Sequence, residues 1–240
     1  MLNLKAYLKP FSIGILVMAA LGSAKISLAS EILSQPDRAI IPVAAFAASG
    51  DIERLKVSLN RGLDAGLTVN QLKEILVQLY AYAGFPRSLN GLAALMGVLE
   101  ERKQQGIDDV QGASSSPLPS DKTALQLGTA NQTQLVGMPV TGALFDFAPQ
   151  IDQYLKAHLF GDIFARDVLS WRQRELATIA MLANISGVNS QLAAHYNISL
   201  HNQISVAELK QFIQILHHEC GASIAANAQQ VLDQVLHSQP

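Results

Sequence analysis

Cysteine occurs once in this 240-residue sequence, at Cys220, so no intramolecular disulfide and no dithiol site can form. Charge bias is lacking too. The 17 Lys and Arg against 19 Asp and Glu leave a net charge of -2, with no Lys/Arg cluster beyond the N-terminal region. That excludes the basic footprint of a nucleic-acid binder. Sustained period-two alternation is absent, so no sheet is expected. The apolar run at 11–21 is well short of the roughly 20 residues needed to span a bilayer.

What is present starts with that run. Lys5 and Lys9 precede it, and small residues follow, with Ser27 and Ala29 placed for cleavage before Ser30 and Gly22 and Ala24 as a second possible site. Residues 1–29 read as a signal peptide, which implies a periplasmic or secreted mature chain with no membrane span after cleavage. An uncleaved interfacial anchor is the alternative. An exported chain without a disulfide must rely on its core or on oligomerisation, and 49% hydrophobic content suffices for one large domain or two small ones.

Sliding the chain against itself reveals a repeat. At an offset of 137, residues 38–100 lie over 175–237 without a gap. Ser49-Gly50 meets Ser186-Gly187, Leu72-Lys73 meets Leu209-Lys210, Gly84 meets Gly221 and Asn90 meets Asn227. The matches fall on turns as well as on core positions. Ser170-Trp171-Arg172-Gln173 and Ser205-Val206-Ala207-Glu208 are capping-box patterns, echoed in the first copy by Thr68-Val69-Asn70-Gln71. They predict helices over about 171–185, 189–201, 205–221 and 223–237, and a first-copy helix stopped by Gly84. The expected organisation is a signal peptide at 1–29, copy one at 30–105, a linker at 106–144 and copy two at 145–238. Gly112, Ser114–Ser116, Pro117 and Pro119 make the linker read as flexible and solvated.

Several stretches carry a family resemblance. They are Arg174-Glu175-Leu176-Ala177-Thr178-Ile179-Ala180 and Gln191-Leu192-Ala193-Ala194-His195 in copy two, with Ala65-Gly66-Leu67-Thr68 and Tyr82-Ala83-Gly84-Phe85-Pro86-Arg87 in copy one. Their order and spacing resemble the carboxymuconolactone decarboxylase family, whose relatives include the alkylhydroperoxidase D proteins. The resemblance implies an all-α fold of two tandem helical units packed as a pseudo-dimer. It also implies homo-oligomers, here a trimer of fused pairs. Family activities include cofactor-free decarboxylation of a carboxymuconolactone. The alkylhydroperoxidase branch instead reduces peroxides with a Cys-x-x-Cys pair, a Glu and a His. Here Gly187, Val188, Asn189 and Ser190 stand where that pair would lie, so an antioxidant role lacks its thiols.

Glu175 and His195 match the family's polar pair, and at the same offset copy one has Arg38 and Ser58 instead. Glu175 shares a helical stripe with Thr178, Ile179 and Leu182, and His195 with Leu192, Tyr196 and Ser199, so both should face inward. A carboxylate withdrawn from water favours its protonated form, which suits proton transfer. The expected catalytic pair is therefore Glu175 and His195, with no cofactor and no metal, acting on a small carboxylated or lactone substrate as a carbon–carbon lyase or proton-transfer enzyme. The alternatives are a first-turn acid beside Arg172 or Arg174 with a structural histidine, and a non-catalytic binding or scaffold protein. His217 and Cys220 alone could share a helix face, too few ligands for a metal. Tyr80, Tyr82 and Phe85 are expected in the core or at a subunit contact, with a substrate cage as the alternative, and Arg87 either to bind a carboxylate or to be a solvated helix-start arginine.

Overall fold

Capping boxes open four of the helices, three of them the ones read from the sequence. In the computed structural model, which describes residues 33–238, the side chains of Thr68, Thr123, Ser170 and Ser205 each accept the backbone N–H three residues on. Gln71, Gln126, Gln173 and Glu208 reach back to the cap's own N–H, completing the box. The chain then runs as α1 (Gln35–Ser49), α2 (Ile52–Asp64), α3 (Val69–Gln104), α4 (Ala124–Val136) and the short α5 (Ala143–Phe147) and α6 (Pro149–Tyr154). A π-helix, Leu155–Ile163, leads into α7 (Trp171–Ala183), α8 (Asn189–His201), α9 (Val206–Cys220) and α10 (Ala222–Ser238). Among the described residues there is no strand. No helix of these residues is long and apolar enough to cross a membrane. The segment read as a signal peptide lies outside the described residues.

The 137-residue offset holds in three dimensions. α2 and α8 coincide end to end at that offset, and α3 and α9 begin at equivalent residues. Gly84 (φ 81°, ψ 161°) and Gly221 (φ 98°, ψ 166°) sit at equivalent positions in the same backbone region, one essentially restricted to glycine. Each glycine turns the chain from the third helix of its copy into the fourth; α3 is two such helices joined across the kink. The two copies pack as a pseudo-dimer. α1 and α7, equivalent helices, lie against each other, and α1 also meets α9 while α7 meets α3. Such reciprocal contact is the mark of a two-fold arrangement. One core spans both copies, with Ile40, Leu55 and Leu72 from the first and Leu176, Ile179, Tyr196 and Phe212 from the second all fully buried.

The 106–144 stretch departs from a solvated linker. Its first part has no regular structure, yet the Val69 and Asn70 N–H groups donate to the carbonyls of Val110 and Gln111. Its second part is α4, which packs on the π-helix. The two backbones touch: a Cβ on Gly128 would stand 1.7 Å from the Lys156 carbonyl oxygen, and one on Gly161 2.2 Å from that of Ala124. Asn131 Nδ2 donates to the Phe160 carbonyl at 2.9 Å, and Asn202 Nδ2 of α8's C-terminal cap donates to that of Leu135 at 2.8 Å. Leu135, Leu159, Phe160, Ile163, Phe164 and Ile198 form a second apolar cluster there. The Ser/Pro-rich composition of 112–119 obscures the cap at Thr123, only a few residues on.

Candidate active site

Glu175 lies one turn into α7, beyond the first-turn positions where an acid would serve the helix N-terminus. Its side chain is fully buried. Neither neighbouring arginine is its partner. Arg172 donates to Glu208 and to the Gln203 carbonyl. Arg174, itself fully buried, donates to Glu74 Oε1 at 2.8 Å, to Gln78 Oε1 at 2.9 Å and to the Arg166 carbonyl at 2.7 Å. The partner of Glu175 is His195 on α8, whose Nδ1 stands 2.8 Å from Glu175 Oε2.

A carboxylate form of Glu175 can only accept, and against it the His195 tautomer that donates from Nδ1–H leaves Nε2 for other work. The remaining Glu175 oxygen, Oε1, is buried without a hydrogen-bond partner. Such an unmet acceptor costs about 1–3 kcal/mol, and it sits beside a titratable ring. His195 shows 12% of its side chain to its surroundings.

Those surroundings are an apolar cavity of about 630 Å³. Copy two supplies Leu182 from α7 and Gln191, Ala194, His195, Asn197 and Ile198 from α8. Copy one supplies Ala81 and Tyr82 from α3, and α4 supplies Gln132 and Val136. Leu144, Phe145 and Ile151 border it from α5 and α6, and Leu155, Leu159 and Phe160 from the π-helix. Tyr82 was expected in the core or at a subunit contact; instead it forms a wall of this cavity, its ring edge-on to His195 with centroids 6.0 Å apart. Thr178 Oγ1 donates to the Tyr82 hydroxyl at 3.3 Å, and Gln78 Nε2 donates to Thr178 Oγ1 at 2.9 Å. Burial, and next the charge of Glu175, push the Tyr82 phenol well above its usual range, so it remains a neutral hydroxyl.

The other residues singled out from the sequence lie elsewhere. Tyr80 stacks on Phe85 at 4.3 Å between centroids and hydrogen-bonds His158, while Phe85 is exposed. Arg87 is exposed and passes over Gly50. Cys220 is half-buried at the end of α9, and burial pushes its thiol up to about 11, far from a reactive thiolate. Among the described residues no three His, Cys, Asp or Glu stand together as a metal site. Gln132, Leu155 and Leu159 are site residues that sequence reasoning missed; the capping box at Thr123 was the signal that could have placed α4.

Copy one has a counterpart cavity of about 550 Å³ with different chemistry. Arg38 and Arg61 of copy one line it, and His218 and Glu219 of α9 stand where Ala81 and Tyr82 of α3 stand in the first cavity. Ser58, at the position equivalent to His195, is buried. The buried Glu175–His195 pair therefore has no equivalent at the same positions of copy one, where the exposed His218 meets Glu219 instead.

A model of the carboxymuconolactone decarboxylase family matches residues 17–96 and 149–234, two tandem copies. The first match begins within the segment read as a signal peptide. No curated protein matches the chain significantly.

Proposed function

Because the chain belongs to the carboxymuconolactone decarboxylase family, we propose that it is an acid–base enzyme of that kind, moving a proton at carbon in a small lactone-like substrate without a cofactor. The observation that carries this reading is the 2.8 Å contact between His195 Nδ1 and Glu175 Oε2 at the wall of an apolar cavity. In this mechanism Glu175 fixes the ring, and Nε2 takes a proton from, or returns one to, a substrate carbon next to a conjugated carbonyl. Loss of CO2 from a carboxylated lactone and loss of a proton from an unsaturated one generate the same dienolate, and both end with protonation at carbon. The neutral Tyr82 hydroxyl, whose oxygen accepts from Thr178, keeps its own O–H to donate to the developing enolate oxygen.

The proposal extends to assembly and location. Leu144, Phe147, Ile151 and Tyr154 leave half or more of their surface exposed beside the cavity, an apolar collar that a homo-oligomer would cover. Export is proposed from the N-terminal sequence alone.

The test is deuterium incorporation into a γ-alkyl butenolide in D2O, followed by proton NMR. Wild type should exchange the ring proton catalytically, and His195→Ala should be slower by about 10²-fold or more at unchanged fold. Equal rates for the two proteins would remove His195 from the chemistry.

A further inference from the structure

The cavity beside His195 has an unusual polar inventory. Among the described residues no lysine or arginine lines it. The arginine nearest in sequence to the pair, Arg174, does not line the cavity and directs its terminal nitrogens elsewhere, to Glu74, Gln78 and the Arg166 carbonyl. Beneath His195 lies the buried carboxylate of Glu175. A carboxylate ligand would add an anion to a mostly apolar space with no lysine or arginine to receive it, a costly transfer.

Of the neutral amides that line the same space, Gln191 and Asn197 are bonded to their own helix region, to Ser190 and the Ala193 carbonyl. Gln132 of α4 is 3% exposed and lines the cavity, yet its amide has no hydrogen-bond partner among the described residues. Its neighbour Asn131 is tied to the Phe160 carbonyl. The amide's polar atoms open on the cavity, where a ligand's polar atom can supply the hydrogen bond that the described residues do not. An amide serves a carbonyl oxygen as donor without requiring charge on the ligand. Beyond Tyr82, Gln191, His195 and Asn197, the rest of the wall, including Val136, Leu155, Leu159, Phe160 and Ile198, is hydrocarbon.

We propose that this cavity takes an uncharged carbonyl compound with a hydrocarbon arm, an alkyl-substituted lactone or ester, and that Gln132 is its specificity-determining residue. The inference rests on the acid–base reading of the same site and narrows it from carboxylated substrates to neutral ones. The relevant chemistry is then proton transfer at carbon, which leaves the carbon skeleton whole.

The experiment compares γ-nonalactone with nonanoate, equal in carbon number, by calorimetry and ligand-observed NMR on the mature protein at pH 8. The lactone should bind at least about tenfold more tightly than the acid, and Gln132→Leu should weaken the lactone by about tenfold at an unchanged melting temperature. Nonanoate binding as tightly as the lactone would overturn the proposal, as would full lactone affinity in folded Gln132→Leu. The wild-type comparison decides even where the variant does not fold. Selective lactone binding by a wild type that exchanges no butenolide proton would sink the catalytic reading and leave this one standing.

Discussion

At the scale of single residues, the site depends on where two adjacent side chains on α7 go. Arg174 turns toward copy one and Glu175 toward α8, so one turn of helix serves both the inter-copy contact and the acid–base pair. The Arg174–Glu74 pair is almost fully buried, and removing one partner leaves the other charge uncompensated. Arg174→Met should cost about 3 kcal/mol in urea unfolding, because Arg166 Nε still reaches Glu74 at 2.9 Å. Adding Glu74→Leu should recover most of that loss. A double variant as unstable as Arg174→Met would show that the charge is not the cause. Glu208 carries a pH prediction. Burial raises its carboxyl, but hydrogen bonds from Arg172 and Ser205 outweigh this and hold it below its usual range. Its folded pKa is thus depressed, so its stabilising effect is present above the unfolded value near about 4.3 and lost as pH falls through the folded one. Glu208→Gln should flatten the acid side of the stability–pH curve in thermal melts. An unchanged acid limb would assign it to other carboxylates.

At the scale of elements, α4 and the π-helix decide whether there is a cavity at all. Their backbones meet at Gly128 and Gly161, where no side chain fits without moving main chain. Gly128→Ala should leave the repeat helices folded, with far-UV circular dichroism nearly unchanged, while lactone affinity falls by about tenfold or more as the α4 wall lifts. Retained affinity would mean that α4 is dispensable to the site. The helices of the two repeats were legible in the sequence, since Thr68, Ser170, Ser205, Gly84 and Gly221 punctuate them by local chemistry. The inward facing of Glu175 and His195 was legible from helical stripes. The cavity was not. Tyr82, Gln132 and Leu159 come from three segments whose meeting is a long-range event, and the Ser/Pro-rich stretch before Thr123 concealed a helix. The π-helix has no sequence signature comparable to a cap.

At the scale of the whole molecule, duplication explains the unequal sites. A two-fold pair of identical subunits would carry two equivalent pockets, each with a wall from its neighbour. Fusion into one chain lets the copies diverge: α8 keeps His195 where α2 has Ser58, and α3 lends Tyr82 to copy two where α9 offers Glu219 to copy one. Copy one thus supplies a wall of the cavity beside His195. In the proposed mechanism Glu175 and His195 work as one unit at that wall. The most direct test is a double-mutant cycle on butenolide proton exchange with wild type, Glu175→Gln, His195→Ala and the double variant. Residues that act as a unit are strongly non-additive, so the double variant should be no slower than His195→Ala, with Glu175→Gln slower than wild type by about tenfold or more. Losses that multiply, or a His195→Ala protein that exchanges at the wild-type rate and merely melts lower, would contradict it.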